Sequence, residues 1–69
     1  MQTIRELREG AGLTQKAVAD AIGVTIATVY NWERGTYEPR ASQLRSLAHL
    51  FKVPMEEIDT LPKDTKTAG

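Results

Sequence analysis

Residues 13–39, LTQKAVADAIGVTIATVYNWERGTYEP, encode two short helices with almost nothing between them. Leu13 and Val18 bracket Thr14 in the spacing of a hydrophobic staple around an N-cap, and Val18, Ala19 and Ile22 carry an apolar stripe to Gly23. The device then repeats: Val24 precedes the cap Thr25 and can pack on Val29, while Gly35 can end the helix in a left-handed conformation without a Cβ clash. Only Gly23-Val24-Thr25 separates the two segments. Helices joined so tightly, with a Gly at the corner, cross at a steep angle.

The flanks read as further helices around the same core. Thr3-x-x-Glu6 is a capping-box spacing that opens a helix carrying Ile4 and Leu7 inward, before Gly10-Ala11-Gly12 stops it. Past the loop Thr36–Pro39, the residues Ala41, Leu44, Leu47, Ala48 and Phe51 recur at helical spacing. A fifth, short helix is expected after Pro54, with Glu56 and Glu57 in its first turn and Ile58 turned inward. No β pattern, internal repeat or low-complexity tract is visible.

Isolated helices under about 12 residues are marginal, so these segments must share a core. Its expected members are Ile4, Leu7, Leu13, Val18, Ile22, Val29, Trp32, Leu44, Leu47, Phe51, Val53 and Ile58. The predicted fold is a compact all-α five-helix bundle over residues 1–60, and residues 61–69 are predicted to form a flexible C-terminal tail with Leu61 as its last anchored side chain.

Sixty-nine residues make one small domain. A chain of this length buries about 60 % of its unfolded surface, which leaves little margin as a monomer. There is no Cys, which excludes disulfides and thiolate metal sites. The charged opening MQTIRELREG has no apolar core of the secretory type, and no run approaches the roughly 20 residues that cross a bilayer. A cytoplasmic protein is therefore expected, with no membrane partner. The zero net charge is unevenly spread: residues 1–55 carry seven basic and five acidic groups, and residues 56–69 two basic and four acidic. That balance argues against a generic polyanion binder but permits one locally basic face.

The tight corner has the form of a helix-turn-helix, and Leu13-Thr14-Gln15, Ala19, Gly23-Val24-Thr25, Val29, Trp32-Glu33-Arg34-Gly35 and Pro39 together resemble the XRE family, which includes the lambda-type phage repressors and Cro. The similarity runs from about Ile4 to Ile58. It implies a lambda repressor-like domain that binds a pseudo-palindromic double-stranded DNA operator as a homodimeric transcriptional regulator, of the repressor kind. The third helix would enter the major groove with its N-terminal residues at base edges.

At about 100° per residue, and with Val29 inward, Ala27, Asn31 and Arg34 fall within about 40° of directly outward. Tyr30 is lateral and Ile26 stands at the helix start. Ile26, Ala27, Tyr30 and Asn31 are accordingly the candidate base-side residues. Asn31 can pair bidentately with adenine, and the apolar Ile26 and Ala27 suit thymine methyl groups. The resemblance places a DNA phosphate on Gln15, with the Thr14 cap nearby. Lys16, Thr25, Thr28, Arg34, Tyr37 and Arg40 complete a candidate backbone track, which positions the protein but does not read sequence. For Thr14 and Thr25 capping is an equal alternative, and for Asn31 and Tyr30 the alternative is plain solvent exposure. Family resemblance also implies an ion pair between Arg8 and Glu33, and a dimer contact through Leu50, Met55 and Leu61; these apolar residues would otherwise complete the core. Three positions depart from the family: Arg40 and Pro54 stand where helix caps are usual, and Lys52 where Gly is frequent.

Catalysis has little to rest on. His49, the sole histidine, shares the exposed side of the fourth helix with Arg45 and Lys52, and no Ser has a base near it in sequence. Glu56, Glu57 and Asp59 are explained by the helix dipole. Gly10-Ala11-Gly12 follows no strand and is a helix break, not a phosphate loop. No enzyme activity, cofactor or small-molecule ligand is expected. The rival to a regulator is a protein-interaction module on the same fold, such as an antitoxin or an anti-repressor partner.

Overall fold

The computed structural model describes residues 1–60. The chain runs through β1 (Gln2–Thr3), α1 (Ile4–Gly10), α2 (Gln15–Ile22), α3 (Ile26–Arg34) and α4 (Ala41–Phe51), then a single 3-10 turn (Met55–Glu57) and β2 (Ile58–Asp59). The tail residues, Leu61 among them, lie outside the described part.

Each helix starts where its cap is. The Thr3 hydroxyl accepts from Glu6 N at 3.1 Å while Thr3 N donates to Glu6 Oε1 at 3.0 Å, closing the capping box. Thr14 accepts from Ala17 N at 3.0 Å and Thr25 from Thr28 N at 3.2 Å. At α4 the arrangement is one-sided, because arginine has no acceptor to offer. Arg40 N donates to Gln43 Oε1 at 2.8 Å and the Arg40 side chain caps nothing.

All four helices also stop in the same way. Backbone bonds spanning five residues close them, from Leu13 N to Arg8 O, Val24 N to Ala19 O, Thr36 N to Asn31 O and Val53 N to Ala48 O, at 2.9–3.0 Å. This closure needs a left-handed residue one position earlier. Gly12, Gly23 and Gly35 supply it in three cases, and Lys52, at φ 60°, in the fourth.

Ile4, Leu7, Val18, Ala19, Val29, Trp32, Leu47, Ala48 and Ile58 form the buried core. Leu13, Ile22, Leu44, Phe51 and Val53, expected inside it, pack half-buried against its rim, and so do Val24, Leu50 and Met55.

Among the described residues the structure corrects the expected five-helix count to four. After Pro54 one turn forms, closed by Glu57 N to Pro54 O at 2.9 Å, and Ile58 then extends (φ −91°, ψ 120°). The segment lies beside Gln2–Thr3 as a two-residue parallel pair, with Gln2 opposite Ile58 and Thr3 opposite Asp59, although no strand was expected. One helical turn fixes many dihedrals for a single hydrogen bond, whereas the extended backbone before the Thr3 cap offers pairing at once and suits a β-branched residue. Ile58 reaches the core by either route. Among the described residues no helix is long and apolar enough to cross a membrane.

The left-handed Lys52 is the evident local strain, since a Cβ there crowds the following carbonyl. Lys52→Gly relieves a clash of about 1–2 kcal/mol and loses about 0.5–1 kcal/mol to the greater chain entropy of Gly, so unfolding free energy in urea is expected to rise by a net of about 0.5–1 kcal/mol. No gain would show that the position carries no strain.

Candidate nucleic-acid interface

The third helix has two sharply different sides. Val29 and Trp32 are buried in the core, while Ile26, Ala27, Tyr30 and Arg34 are exposed and Asn31 is half-buried. Ile26 and Tyr30, outside the core, keep 46 % and 48 % of their surface open. The Asn31 amide has no hydrogen-bond partner among the described residues, so both its donor and its acceptor are available. Arg34 folds back along the helix: its guanidinium carbon lies 5.4 Å from the Tyr30 ring centroid, and Nη1 donates to Tyr30 Oη at 3.4 Å.

Orientation of this helix comes from a polar cluster behind it. Arg8 donates to Glu33 through Nε at 2.6 Å and Nη2 at 3.2 Å, a two-point contact between α1 and α3. The third direction of the guanidinium is taken by Leu13 O, which receives Nη1 at 2.9 Å. Gln15 Nε2 donates to Glu33 Oε1 at 3.1 Å and so ties in the start of α2. The Glu33 side chain is only 5 % exposed and that of Arg8 13 %, so the pair is largely removed from water. The hydrogen bonds to Glu33 push the Arg8 pKa above its ordinary value; burial opposes this, and the charges of Glu33 and Glu9 add to it. A raised arginine pKa contributes stability at every pH below the unfolded value and loses it only in strong alkali, so Arg8 stays charged in ordinary buffers.

Other candidates on the backbone track are partly occupied. Thr14 and Thr25 serve as caps, and Thr25 Oγ1 and Thr28 Oγ1 share a hydrogen bond of 3.0 Å. Lys16 is paired with Asp20 at 3.0 Å, but both side chains are mostly exposed and such surface pairs are weak, so Lys16 can exchange partners. Tyr37 is 65 % open. Arg40 is exposed with its side chain uncommitted to the cap. Leu50 and Met55 each line a hollow beside Arg45 and His49 of α4, and no residue of α3 lines either hollow. The core claims part of each, and Leu61 falls outside the described residues.

Sequence reasoning missed Arg5, whose side chain joins Arg8, Gln15, Tyr30, Glu33 and Arg34 around one cavity. Nothing local marks it, because it also sits four residues before Glu9 in an ordinary helix-surface pair of 3.1 Å. By contrast, the inward turn of Glu33 was available from spacing, since four residues beyond Val29 is about 40° from it on a helical wheel.

A profile of the helix-turn-helix family matches residues 4–58, from the first residue of α1 to the end of the core. The chain belongs to the XRE-type helix-turn-helix family. It is 38 % identical over 55 residues to the cryptic phage CTXphi transcriptional repressor RstR of Vibrio cholerae, covering 80 % of this chain and 50 % of that protein. An uncharacterized HTH-type transcriptional regulator of Sinorhizobium fredii is 31 % identical over 67 residues, covering 96 % of this chain and 47 % of its own length. One from Methanothermobacter thermautotrophicus is 37 % identical over 62 residues, with 88 % and 90 % covered. The chain thus spans about half the length of the first two relatives and most of the third.

Removing charge from the cluster tests its structural weight. Glu33→Gln keeps the shape but leaves Arg8 with a half-satisfied, largely buried charge, and is expected to lower unfolding free energy by about 2 kcal/mol. A denaturation midpoint within error of the unaltered protein would show that the pair contributes nothing.

Proposed function

We propose that this chain is a sequence-specific double-stranded DNA-binding transcriptional regulator. It acts as a homodimeric repressor whose α3 enters the major groove. The supporting observation is the outer side of α3, which no other described part of the fold covers and where an unpartnered Asn31 amide stands beside small or apolar neighbours. Such a side lets the helix come close to base edges. Asn31 reads adenine through a donor and an acceptor, while Ile26 and Ala27 favour thymine methyl groups. Half-sites should therefore be rich in A·T at the contacted steps. The relative described as a transcriptional repressor supports the repressor role.

Two protomers on a pseudo-palindromic site set their α3 helices about 34 Å apart, one turn of the duplex. The reading needs this pairing because each protomer has few uncommitted cations near α3. Leu50 and Met55 mark the flank from which the dimer would be built, together with Leu61. The protein-interaction reading has one observation in its favour, the openness of Ile26, Tyr30 and Tyr37.

Selection from a pool of random duplexes, repeated with Asn31→Ala, tests the proposal. The unaltered chain should enrich a defined half-site. Asn31→Ala should lose about 1–3 kcal/mol of discrimination at one base pair while binding random duplex almost unchanged. A uniform loss across sequences would make Asn31 a backbone contact, and failure to retain any duplex at low salt would favour the interaction module.

A further inference from the structure

The exposed side of α4 carries charge of one sign only. Its 11 residues include no acid, while Arg45 and His49 stand four apart and Lys52, the cap that follows, stands three further on, all of them exposed. Among the described residues none of these three makes an ion pair or a side-chain hydrogen bond. On α1 and α2, by contrast, an exposed cation has an acid four residues on, Arg5 with Glu9 and Lys16 with Asp20. The helix dipole accounts for His49 and Lys52 at the C-terminus of α4, but its effect does not extend to Arg45 in the middle.

Two open hollows adjoin this row. One, of about 460 Å³, is walled by Ala21 and Ile22 at the end of α2 and by Leu50. The other, of about 700 Å³, is walled by Val53, Pro54 and Met55. Arg45 and His49 line both, and Lys52 lines the second. An occupant must therefore supply apolar side chains and negative charge together. A nucleic-acid backbone supplies the charge but leaves Ile22, Leu50 and Met55 facing phosphates. A lipid surface calls for large exposed apolar residues, and those of the described chain, Met1, Ile26, Tyr30 and Tyr37, all lie off α4. A second copy brings Glu56 and Glu57, but it brings Arg45 and Lys52 with them and so adds as many cations as acids.

We propose that this face of α4 docks an acidic, amphipathic segment of another protein. Its apolar side chains enter the two hollows, and its Asp or Glu side chains meet Arg45, His49 and Lys52. The apolar contacts supply most of the affinity, and the charges select the partner. Leu50 and Met55 belong also to the flank proposed for pairing of protomers, so the segment and a second copy exclude one another there. Docking itself does not rest on the proposed function.

The test selects a pool of random peptides on the full chain and measures the recovered peptides one by one. They should interleave acids with apolar residues, and versions with Lys in place of each acid should bind about tenfold more weakly. At saturation the amide resonances of residues 21–22 and 45–55 should shift, while those of Ile26, Ala27 and Asn31 stay in place. Arg45→Gln and Lys52→Gly should each weaken binding about twofold to fivefold, the range of one exposed ion pair. Ala21→Gln, which puts bulk into the first hollow, should weaken it by about tenfold. All three positions are exposed and Lys52→Gly removes a left-handed side chain, so the variants keep the fold. Recovery of peptides without acids, equal binding by the Lys versions, or affinities that none of the three variants alters would overturn the proposal. So would sedimentation that finds this face closed by a second copy at concentrations where no peptide gains access. These outcomes are independent of duplex binding, on which the regulator reading stands or falls.

Discussion

The two-point contact between Arg8 and Glu33 is the constraint on which the rest of the arrangement depends. Among the described residues four short helices meet, none long enough to persist by itself, and α3 exposes Ile26, Ala27, Tyr30 and Arg34 to water. Apolar packing of Val29 and Trp32 holds α3 to the core but is tolerant of rotation and sliding. A planar guanidinium against a carboxylate is not tolerant, because both hydrogen bonds fail if either helix turns. Leu13 O and Gln15 extend the same contact to the entry of α2, so three elements share one register. Replacing the pair with apolar residues would cost little in stability, since desolvation offsets much of the attraction. Its contribution here is geometric.

That geometry divides α3 into a fixed side and an open one. Glu33 and Trp32 are held inside, Ala27 and Ile26 are held out, and Asn31 stands half-buried between them. On the proposed reading, specificity comes from Asn31 and from apolar contacts with thymine methyl groups, while affinity comes from a modest set of cations supplemented by a second protomer. Zero net charge fits such a division, because a locally basic rim steers without making the whole chain a polyanion binder. On the same reading Arg34, stacked on Tyr30, belongs to the rim and not to the reading side, and the two roles meet within a single helical turn.

Much of this was legible in the sequence because the signals are local and redundant. Thr3, Thr14 and Thr25 each announce a helix start through a hydroxyl that reaches the next turn, and the glycines at 12, 23 and 35 announce the stops. Leu13 and Val24 mark chain entry by packing on the core. The segment after Pro54 was misread because two or three residues cannot distinguish a period of 3.6 from one of 2, and its conformation is decided by Gln2–Thr3, more than fifty positions away. Arg5 was missed for a related reason. Its place in the cavity is set by the crossing of α1 over α3, and an intrahelical pair with Glu9 gives it an adequate local explanation. Gln15 was expected at a phosphate from its place in the first turn of α2 and from the resemblance, and its bond to Glu33 depends on a contact that spacing does not reveal.

The central claim is that the open side of α3 faces the grooves of DNA. Amide resonances of isotopically labelled protein, followed during titration with a duplex recovered by selection, test it most directly. The account predicts that residues 26–34 and 14–16 shift together and saturate with the duplex, while the Leu50–Met55 flank responds only as far as pairing of protomers requires. Shifts confined to that flank, with residues 26–31 unmoved at saturation, would contradict it.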